Sequence, residues 1–123
     1  MKKLSVIIVL AVLAAGIALF TRDTGPKVAN ALDSFTKCLT EKGAVMYGAD
    51  WCPHCQDEKR AFGDSFKYVS YVECPDNPEL CLSKKIEGFP TWIFADQRRH
   101  EGVMGLNRLS ETTACPLPEE YKN

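Results

Sequence analysis

Hydrophobic and polar positions divide the chain into an apolar N-terminal run and a mixed remainder. The run extends from Leu4 to Phe20, is interrupted only by Ser5 and Gly16, and follows the positive segment 1–3. As a helix, residues 4–20 would span about 25 Å, close to the shortest length that crosses a bilayer. The pattern therefore predicts an N-terminal hydrophobic helix over residues 1–20.

This helix has two possible fates. As a signal peptide it could be cleaved after Ala18, because Gly16 supplies the small residue two positions earlier. As an uncleaved anchor it would hold the chain in the membrane through residues 4–20, and its length favours this fate. Positive charge at the N-terminus keeps that end cytoplasmic. We therefore expect a single-pass cell-membrane protein with an extracytoplasmic domain, or a secreted or periplasmic protein if residues 1–18 are removed.

After a linker at 21–27, the remainder predicts one domain over 28–118 and a tail at 119–123. Its first element is an amphipathic helix that Gly43 ends. The apolar residues that recur along it at helical spacing are Val28, Leu32, Phe35 and Leu39.

Alternating strand-like and helical patterns follow. The predicted strands cover residues 44–49, 68–74, 90–95 and 100–104, and the predicted helices cover 56–66, 79–86 and 106–113. In the first of these helices, Cys55, Phe62 and Phe66 share one face at spacings of seven and four. This order of elements predicts an α/β fold.

Composition adds one constraint. A chain of 123 residues has room for one domain, and its net charge of −1 gives no reason to expect nucleic acid as a partner. Six cysteines beside a secretory-type N-terminus point to an oxidising compartment.

The most informative motif is Trp51-Cys52-Pro53-His54-Cys55, which lies between a predicted strand and a predicted helix. This placement puts Cys52 at a helix N-terminus, where unpaired N–H groups stabilise its thiolate, with Pro53 at the first helical position. A protonated His54 would add positive charge, and Cys55 could resolve a mixed disulfide formed at Cys52. A zinc half-site and a purely structural disulfide are alternatives, but no second Cys-x-x-Cys motif completes four zinc ligands.

A second motif, Gly88-Phe89-Pro90-Thr91-Trp92, precedes a predicted strand downstream. With both motifs, the chain resembles the thioredoxin superfamily, and its Pro-His dipeptide is the one found in bacterial disulfide-forming oxidases. The stretches 46–55, 71–74 and 88–92 look most like the thioredoxin-like domain associated with vitamin K epoxide reductase homologues. The resemblance implies a central mixed sheet flanked by helices, with a first strand that is short or absent.

The resemblance also implies roles. Pro90 would be a cis-proline packed against the cysteines, and Trp51, Phe89 and Thr91 would contact client proteins. The implied catalytic residues are Cys52, Cys55, His54, Pro53 and Pro90. The implied activity is oxidation of client thiols, after which a membrane partner of the vitamin K epoxide reductase type would reoxidise the pair and pass electrons to a quinone.

Other functions remain open at this stage. The same residues could serve a disulfide reductase or isomerase in the same compartment. A less favoured alternative is a metal-carrying module that uses Cys52, Cys55 and His54. The redox hypothesis needs no cofactor and no metal, because the disulfide itself carries two electrons.

The remaining cysteines are expected to be structural. Related domains carry a second pair like Cys74 and Cys81, which favours a disulfide over two buried thiols, and an electron relay is a further alternative. Fixing that pair and the motif pair leaves only Cys38 with Cys115. Whether these two residues meet stays open.

One position departs from the family. Many thioredoxins and disulfide oxidases carry a buried acid six residues before the first cysteine, where this chain has Met46. Asp50, Asp57 and Glu58 are near in sequence but are expected to face solvent, which leaves proton transfer to water or to an unassigned carboxylate. His100 is expected to be a surface residue without function, and Trp92 a packing residue.

Overall fold

The computed structural model describes residues 30–123, so the predicted hydrophobic helix, the linker and Val28 lie outside the described residues. The α-helices are α1 (Ala31–Glu41), α2 (Pro53–Phe62), α3 (Pro78–Ser83) and α4 (Gly105–Thr113). The strands are β1 (Val45–Gly48), β2 (Ser70–Glu73), β3 (Thr91–Ile93) and β4 (Arg99–Glu101). Two 3₁₀ turns, Gly63–Tyr68 and Glu119–Tyr121, complete the elements.

The strands form one mixed sheet in the order β2-β1-β3-β4. β1 runs parallel to β2 and antiparallel to β3, which in turn pairs antiparallel with β4. The element order and the mixed sheet agree with the predicted thioredoxin-like α/β fold, and no strand precedes α1 within residues 30–123.

Strand register sorts the core into two clusters, because residues opposite each other on paired strands share a face. Met46 lies opposite both Tyr71 and Trp92, and this face packs against the main cluster from α1, α2 and α4. Tyr47 lies opposite Val72 and belongs to the smaller cluster with Cys81 of α3. The active-site helix α2 therefore lies over the Met46 face of the sheet.

The helix after the cysteine motif is shorter than predicted. It ends at Phe62 because Gly63 adopts a positive φ of 53°, and residues 63–68 continue as a 3₁₀ helix. Cys55 and Phe62 are fully buried on one face as predicted, whereas Phe66 reaches the core from the 3₁₀ turn through an edge contact with Phe62.

The closing strand is also shorter than predicted. β4 ends at Glu101, and Gly102 donates its N–H to the carbonyl of Pro90. The N–H groups of Met104 and Gly105 donate to the carboxylate of Glu58 instead of to a strand. A buried side chain thus ends the hairpin and begins α4.

Two disulfides cross-link the described chain, one between residues far apart in sequence and one across a short loop. Cys38 of α1 is bonded to Cys115, which follows α4, across a sequence separation of 77. Cys74, after β2, is bonded to Cys81 of α3 across a separation of 7. The structure thereby leaves Cys52 and Cys55 as free thiols.

Within the part of the chain that the structure describes, no helix has both the length and the apolar character needed to cross a bilayer.

Candidate active site

Local structure at the start of α2 presents Cys52. Cys52 is the N-cap residue, with extended dihedral angles, and Pro53 occupies the first helical position. The Cys52 carbonyl accepts the N–H of Gln56 at 3.1 Å, so the helix begins directly behind its side chain. Cys52 is 6% exposed and lies at the positive end of the helix dipole.

The loop that precedes β3 packs against this cysteine. The Phe89–Pro90 peptide bond is cis, and the carbonyl oxygen of Phe89 lies 3.6 Å from Cys52 Sγ. Trp51 stands on the solvent side with 71% of its surface exposed, and its ring meets the Phe89 ring edge-on at 6.0 Å. Trp51 and Phe89 thus form an apolar ledge beside the only exposed part of the redox pair within residues 30–123.

Thr91 does not take part in this ledge. Its side chain is buried, and its hydroxyl donates to the Gly88 carbonyl at 2.8 Å. The sequence had placed Thr91 at the substrate-facing loop, but β3 already begins there and directs its side chain inward. Any contact of Thr91 with a client is therefore left to its backbone.

Cys55 occupies a different environment one turn along α2. It is fully buried. Burial, with a smaller contribution from the neighbouring Cys52, raises the pKa of Cys55 to about 11. Cys55 is consequently a protonated thiol near neutral pH, and it must lose a proton before it can attack a disulfide.

Gly48 and Tyr71 lie directly behind Cys55. A side-chain carbon on Gly48 would stand 2.8 Å from Cys55 Sγ and 3.3 Å from the Tyr71 hydroxyl. The missing side chain of Gly48 therefore leaves room that both the Cys55 sulfur and the Tyr71 hydroxyl border. A larger residue at this position would collide with the resolving cysteine.

A chain of polar groups continues from Tyr71. Its hydroxyl donates to one carboxylate oxygen of Glu73, and the other oxygen accepts the N–H of Asp50 at 2.9 Å. Lys59 Nζ lies 2.6 Å from Asp50 Oδ1 and 4.0 Å from the centre of the Tyr71 ring. The pKa of Asp50 is lowered, chiefly by its hydrogen bond with Lys59.

Glu58 corrects an expectation drawn from the sequence. Its side chain is fully buried rather than solvent-facing, and it accepts hydrogen bonds from Trp92 Nε1 at 3.2 Å, Met104 N at 3.0 Å and Gly105 N at 3.2 Å. Burial raises the pKa of Glu58, although these three donors oppose the rise. The carboxylate therefore caps the start of α4 and ties it to α2 and β3.

The two histidines differ in their surroundings. His54, the second residue of α2, is exposed, and its ring makes no hydrogen bond within residues 30–123. Its predicted role in stabilising the Cys52 thiolate stays a prediction. His100 is half-buried opposite Trp92 in the sheet, and its interaction with Glu58 partly opposes the rise in the pKa of that carboxyl group.

Among the described residues, no three His, Cys, Asp or Glu side chains come together as ligands for a metal ion.

Comparison with known proteins found curated relatives and solved structures that are similar to part of this chain. No protein-family model matches the chain. It is 40% identical over 95 residues to the thiol-disulfide oxidoreductase LTO1 of Arabidopsis thaliana, covering 70% of this chain and 25% of that protein. It is 26% identical over 95 residues to the thioredoxin domain-containing protein 5 homolog of Drosophila melanogaster, covering 67% of this chain and 23% of that protein.

Among solved structures, Fasciola hepatica thioredoxin aligns with a TM-score of 0.46 and 21% identity, over 70% of this chain and 89% of that one. The chain spans a quarter or less of the length of the two curated relatives.

The fold, the free cysteine pair at the start of α2 and the cis-proline loop beside it occur together with similarity to a thiol-disulfide oxidoreductase. The chain therefore has a thioredoxin-like α/β fold and carries, at the start of α2, the free cysteine pair that thiol–disulfide exchange requires.

Proposed function

We propose that this protein donates its Cys52–Cys55 disulfide to client protein thiols outside the cytoplasm. The observation that carries the proposal is the contrast between the two sulfurs. Cys52 is 6% exposed at a helix N-terminus beside an apolar ledge, whereas Cys55 is fully buried in the core. A client can thus reach only Cys52, and Cys55 serves as the internal partner.

The transfer proceeds by thiol–disulfide exchange. A client thiolate attacks Cys52 Sγ of the oxidised pair, the Cys52–Cys55 bond breaks, and Cys55 leaves with the bonding electrons. A second client thiolate then attacks the client sulfur of the mixed disulfide and releases Cys52 as a thiolate. Two electrons move from client to protein, and the helix N-terminus stabilises the released thiolate, which makes the oxidised form a better oxidant.

The direction of transfer is tested by the reduction potential of the Cys52–Cys55 pair in glutathione buffers. A value of about −120 to −180 mV, in the range of strong oxidants and isomerases, is expected for a disulfide donor. A value near about −270 mV, that of thioredoxin, would make the protein a reductant and remove the proposed direction.

The proposed compartment has separate support. Two disulfides outside the redox pair are typical of oxidising environments, and the N-terminal run with its positive flank is typical of export. A fusion of the full chain to alkaline phosphatase, which is active only when exported, should be active, and deletion of residues 4–20 should abolish the activity. An active deletion variant would argue against export by this segment.

The proposed reoxidant is a membrane protein of the vitamin K epoxide reductase type that delivers electrons to a quinone. Its support is the resemblance of the motif stretches, together with the two-electron chemistry that Cys52 and Cys55 provide. Proteoliposomes that hold such a partner and a quinone should reoxidise the reduced pair, and omission of either component should stop reoxidation. Equal reoxidation without the partner would remove it from the proposal.

A further inference from the structure

We propose that the Tyr71 hydroxyl and the Glu73 carboxylate carry the proton that Cys55 exchanges during disulfide transfer. This inference rests on the proposed function and deepens it. It assigns a proton pathway to a chain that has Met46 where related proteins place a buried acid.

The geometry supplies a path from sulfur to solvent. Cys55 Sγ and the Tyr71 hydroxyl both face the room left by Gly48. The hydroxyl donates to Glu73, which is half-buried at the end of β2 and therefore reaches solvent. Parallel pairing of β1 with β2 sets Gly48 opposite Glu73 and thus holds the path in register.

Charged and polar groups surround the path. Lys59, one turn after Cys55 on α2, places its ammonium over the Tyr71 ring, and its charge also favours the Cys55 thiolate. Glu73 accepts a second hydrogen bond from the Asp50 N–H. The titratable groups that face Cys55 are Cys52 and Lys59 from α2, Tyr71 and Glu73 from β2, and Asp50 from the loop before α2.

Tyr71 acts by handing on a proton rather than by ionising. Burial raises the pKa of Tyr71 above its ordinary value, and the hydrogen bond to Glu73 raises it further. When Cys55 attacks a mixed disulfide at Cys52, its S–H proton passes to the Tyr71 oxygen while the hydroxyl proton passes to Glu73. The Cys55–Cys52 bond forms, the Cys52–client bond breaks, and the client leaves as a thiolate. In the reverse step, solvent protonates Glu73 and the same path protonates the departing Cys55.

Glu58 is not available for this task. Its two oxygens accept from Trp92, Met104 and Gly105, and these contacts tie it to α4 rather than to the cysteines. The Tyr71–Glu73 pair lies behind Cys55: the Tyr71 hydroxyl borders the room next to the sulfur, and Glu73 is accessible to solvent.

The test follows the reaction of the reduced protein with Ellman's reagent, which releases thionitrobenzoate in two phases. The first release reports attack by Cys52, and the second reports resolution by Cys55. In Tyr71→Phe and in Glu73→Gln, we expect the rate of the second phase to fall by at least about tenfold near pH 6–7. Loss of a general base often costs more than this. The first phase should stay within about twofold of the unmodified protein, as in changes that leave the reacting group untouched.

The pH profile separates proton transfer from a structural effect. The difference in second-phase rate between the variants and the unmodified protein should shrink as pH rises, because hydroxide then removes the Cys55 proton directly. The double variant should be no slower than either single variant, because both residues serve one path. Tyr68→Phe and Glu79→Gln, a nearby tyrosine and an exposed carboxylate elsewhere, are the matched controls and should leave both phases unchanged.

Three results would overturn the inference: an unchanged second phase, a deficit of equal size at every pH, or the same deficit in the controls. Loss of the first phase in the unmodified protein would instead overturn the proposed function itself. The two failures are therefore distinguishable in one experiment.

Discussion

Cys52 and Cys55 lie three positions apart on one helix, yet their surroundings differ in nearly every respect. Cys52 faces a carbonyl, a helix N-terminus and the exposed Trp51. Cys55 faces the sheet, with Gly48 and Tyr71 behind it and the core around it. Within one turn of helix, the first cysteine is thus placed for exchange with clients, and the second is a buried thiol whose proton must be removed before it reacts.

The difference has a physical origin in the fold. The first helical turn follows the carboxyl end of β1, and the N–H groups of such a turn have no partner within the helix and carry partial positive charge. The second sulfur points back over β1, where burial favours the neutral thiol. One cysteine is thus suited to exchange with large partners, and the other to a slow step that needs a base.

The largest expected effect comes from removing either sulfur. Cys52→Ser should abolish attack on a client disulfide, and Cys55→Ser should allow attack but accumulate the mixed disulfide. Turnover of a dithiol peptide should fall by about 1000-fold or more in both variants, because both sulfurs act as one unit. Mass spectrometry of a quenched reaction with a disulfide-bonded peptide distinguishes the two variants, because only Cys55→Ser keeps the peptide adduct on Cys52.

The double variant Cys74→Ser/Cys81→Ser is the matched control. It removes the other nearby pair and should keep turnover within a few-fold, while unfolding free energy falls by about 2 kcal/mol for such a short loop. A turnover loss as large as that of Cys55→Ser would show that Cys74 and Cys81 take part in electron transfer.

A second prediction concerns the acidity of Cys55. In Cys52→Ser, the alkylation rate of Cys55 should rise about tenfold per pH unit below its pKa and about 500-fold between pH 8 and 11, because its pKa is raised to about 11 mainly by burial. The same thiol in urea-unfolded protein should titrate near about 8.5. A plateau below pH 9 in the folded protein would contradict the buried, neutral state of Cys55.

A third prediction asks whether Glu58 belongs to structure or to catalysis. Glu58→Gln replaces one acceptor oxygen with a donor that opposes the Met104 and Gly105 N–H groups. The free energy of unfolding should fall by about 1–3 kcal/mol, the usual cost of disrupting buried hydrogen bonds. Both Ellman phases should keep their pH profiles, because Glu58 does not serve Cys55.

The pH dependence of stability carries a definite sign. The pKa of Glu58 is raised by folding, so its contribution is fully present below the unfolded value of about 4.3 and is lost as pH rises through the folded pKa. Denaturant unfolding over this range should show the loss in the unmodified protein and not in Glu58→Gln. Asp57→Asn, on an exposed neighbour, should change stability by less than about 0.5 kcal/mol, and an equal effect in both variants would contradict the assignment.

The smallest expected effect is at the apolar ledge. Trp51→Ala should raise the KM for a protein client by about three- to tenfold, since an exposed aromatic residue supplies contact area. The rate of the first Ellman phase should be unchanged, because a small reagent reacts with Cys52 without docking on the apolar ledge. Leu82→Ala, which removes another highly exposed apolar side chain on α3, is the control, and equal KM changes in both variants would argue against docking at Trp51.

Much of the fold followed from local patterns. The amphipathic period of α1, the strand–helix transition at the cysteine motif and the apolar β3 all lie close to their predicted positions. Errors fell at the ends of elements, one decided by a local glycine and one by a nonlocal contact. Phe66 was placed in α2, but Gly63 ends that helix, and residues 102–104 were placed in β4, but Glu58 takes the N–H of Met104.

The candidate site divides in the same way. Cys52, Pro53 and Cys55 could be assigned from the motif, because a strand–turn–helix transition fixes the first helical turn locally. The burial of Glu58 could not be predicted, because it lies in a run of charged residues. Its three hydrogen-bond donors belong to β3 and to the start of α4, which are distant in sequence. Thr91 could be assigned to the loop beside the cysteines, but the inward direction of its side chain follows from its place at the start of β3.

The sequence by itself determined the chemistry of the redox pair: two cysteines, their spacing and their place at a helix start. Tertiary structure alone decided what lies behind Cys55, because β1, β2 and α2 come together only through sheet pairing and core packing. Gly48, Tyr71 and Glu73 carry no motif for this role. Their positions follow from a parallel register that links residues more than twenty positions apart, and local sequence patterns do not encode such a register.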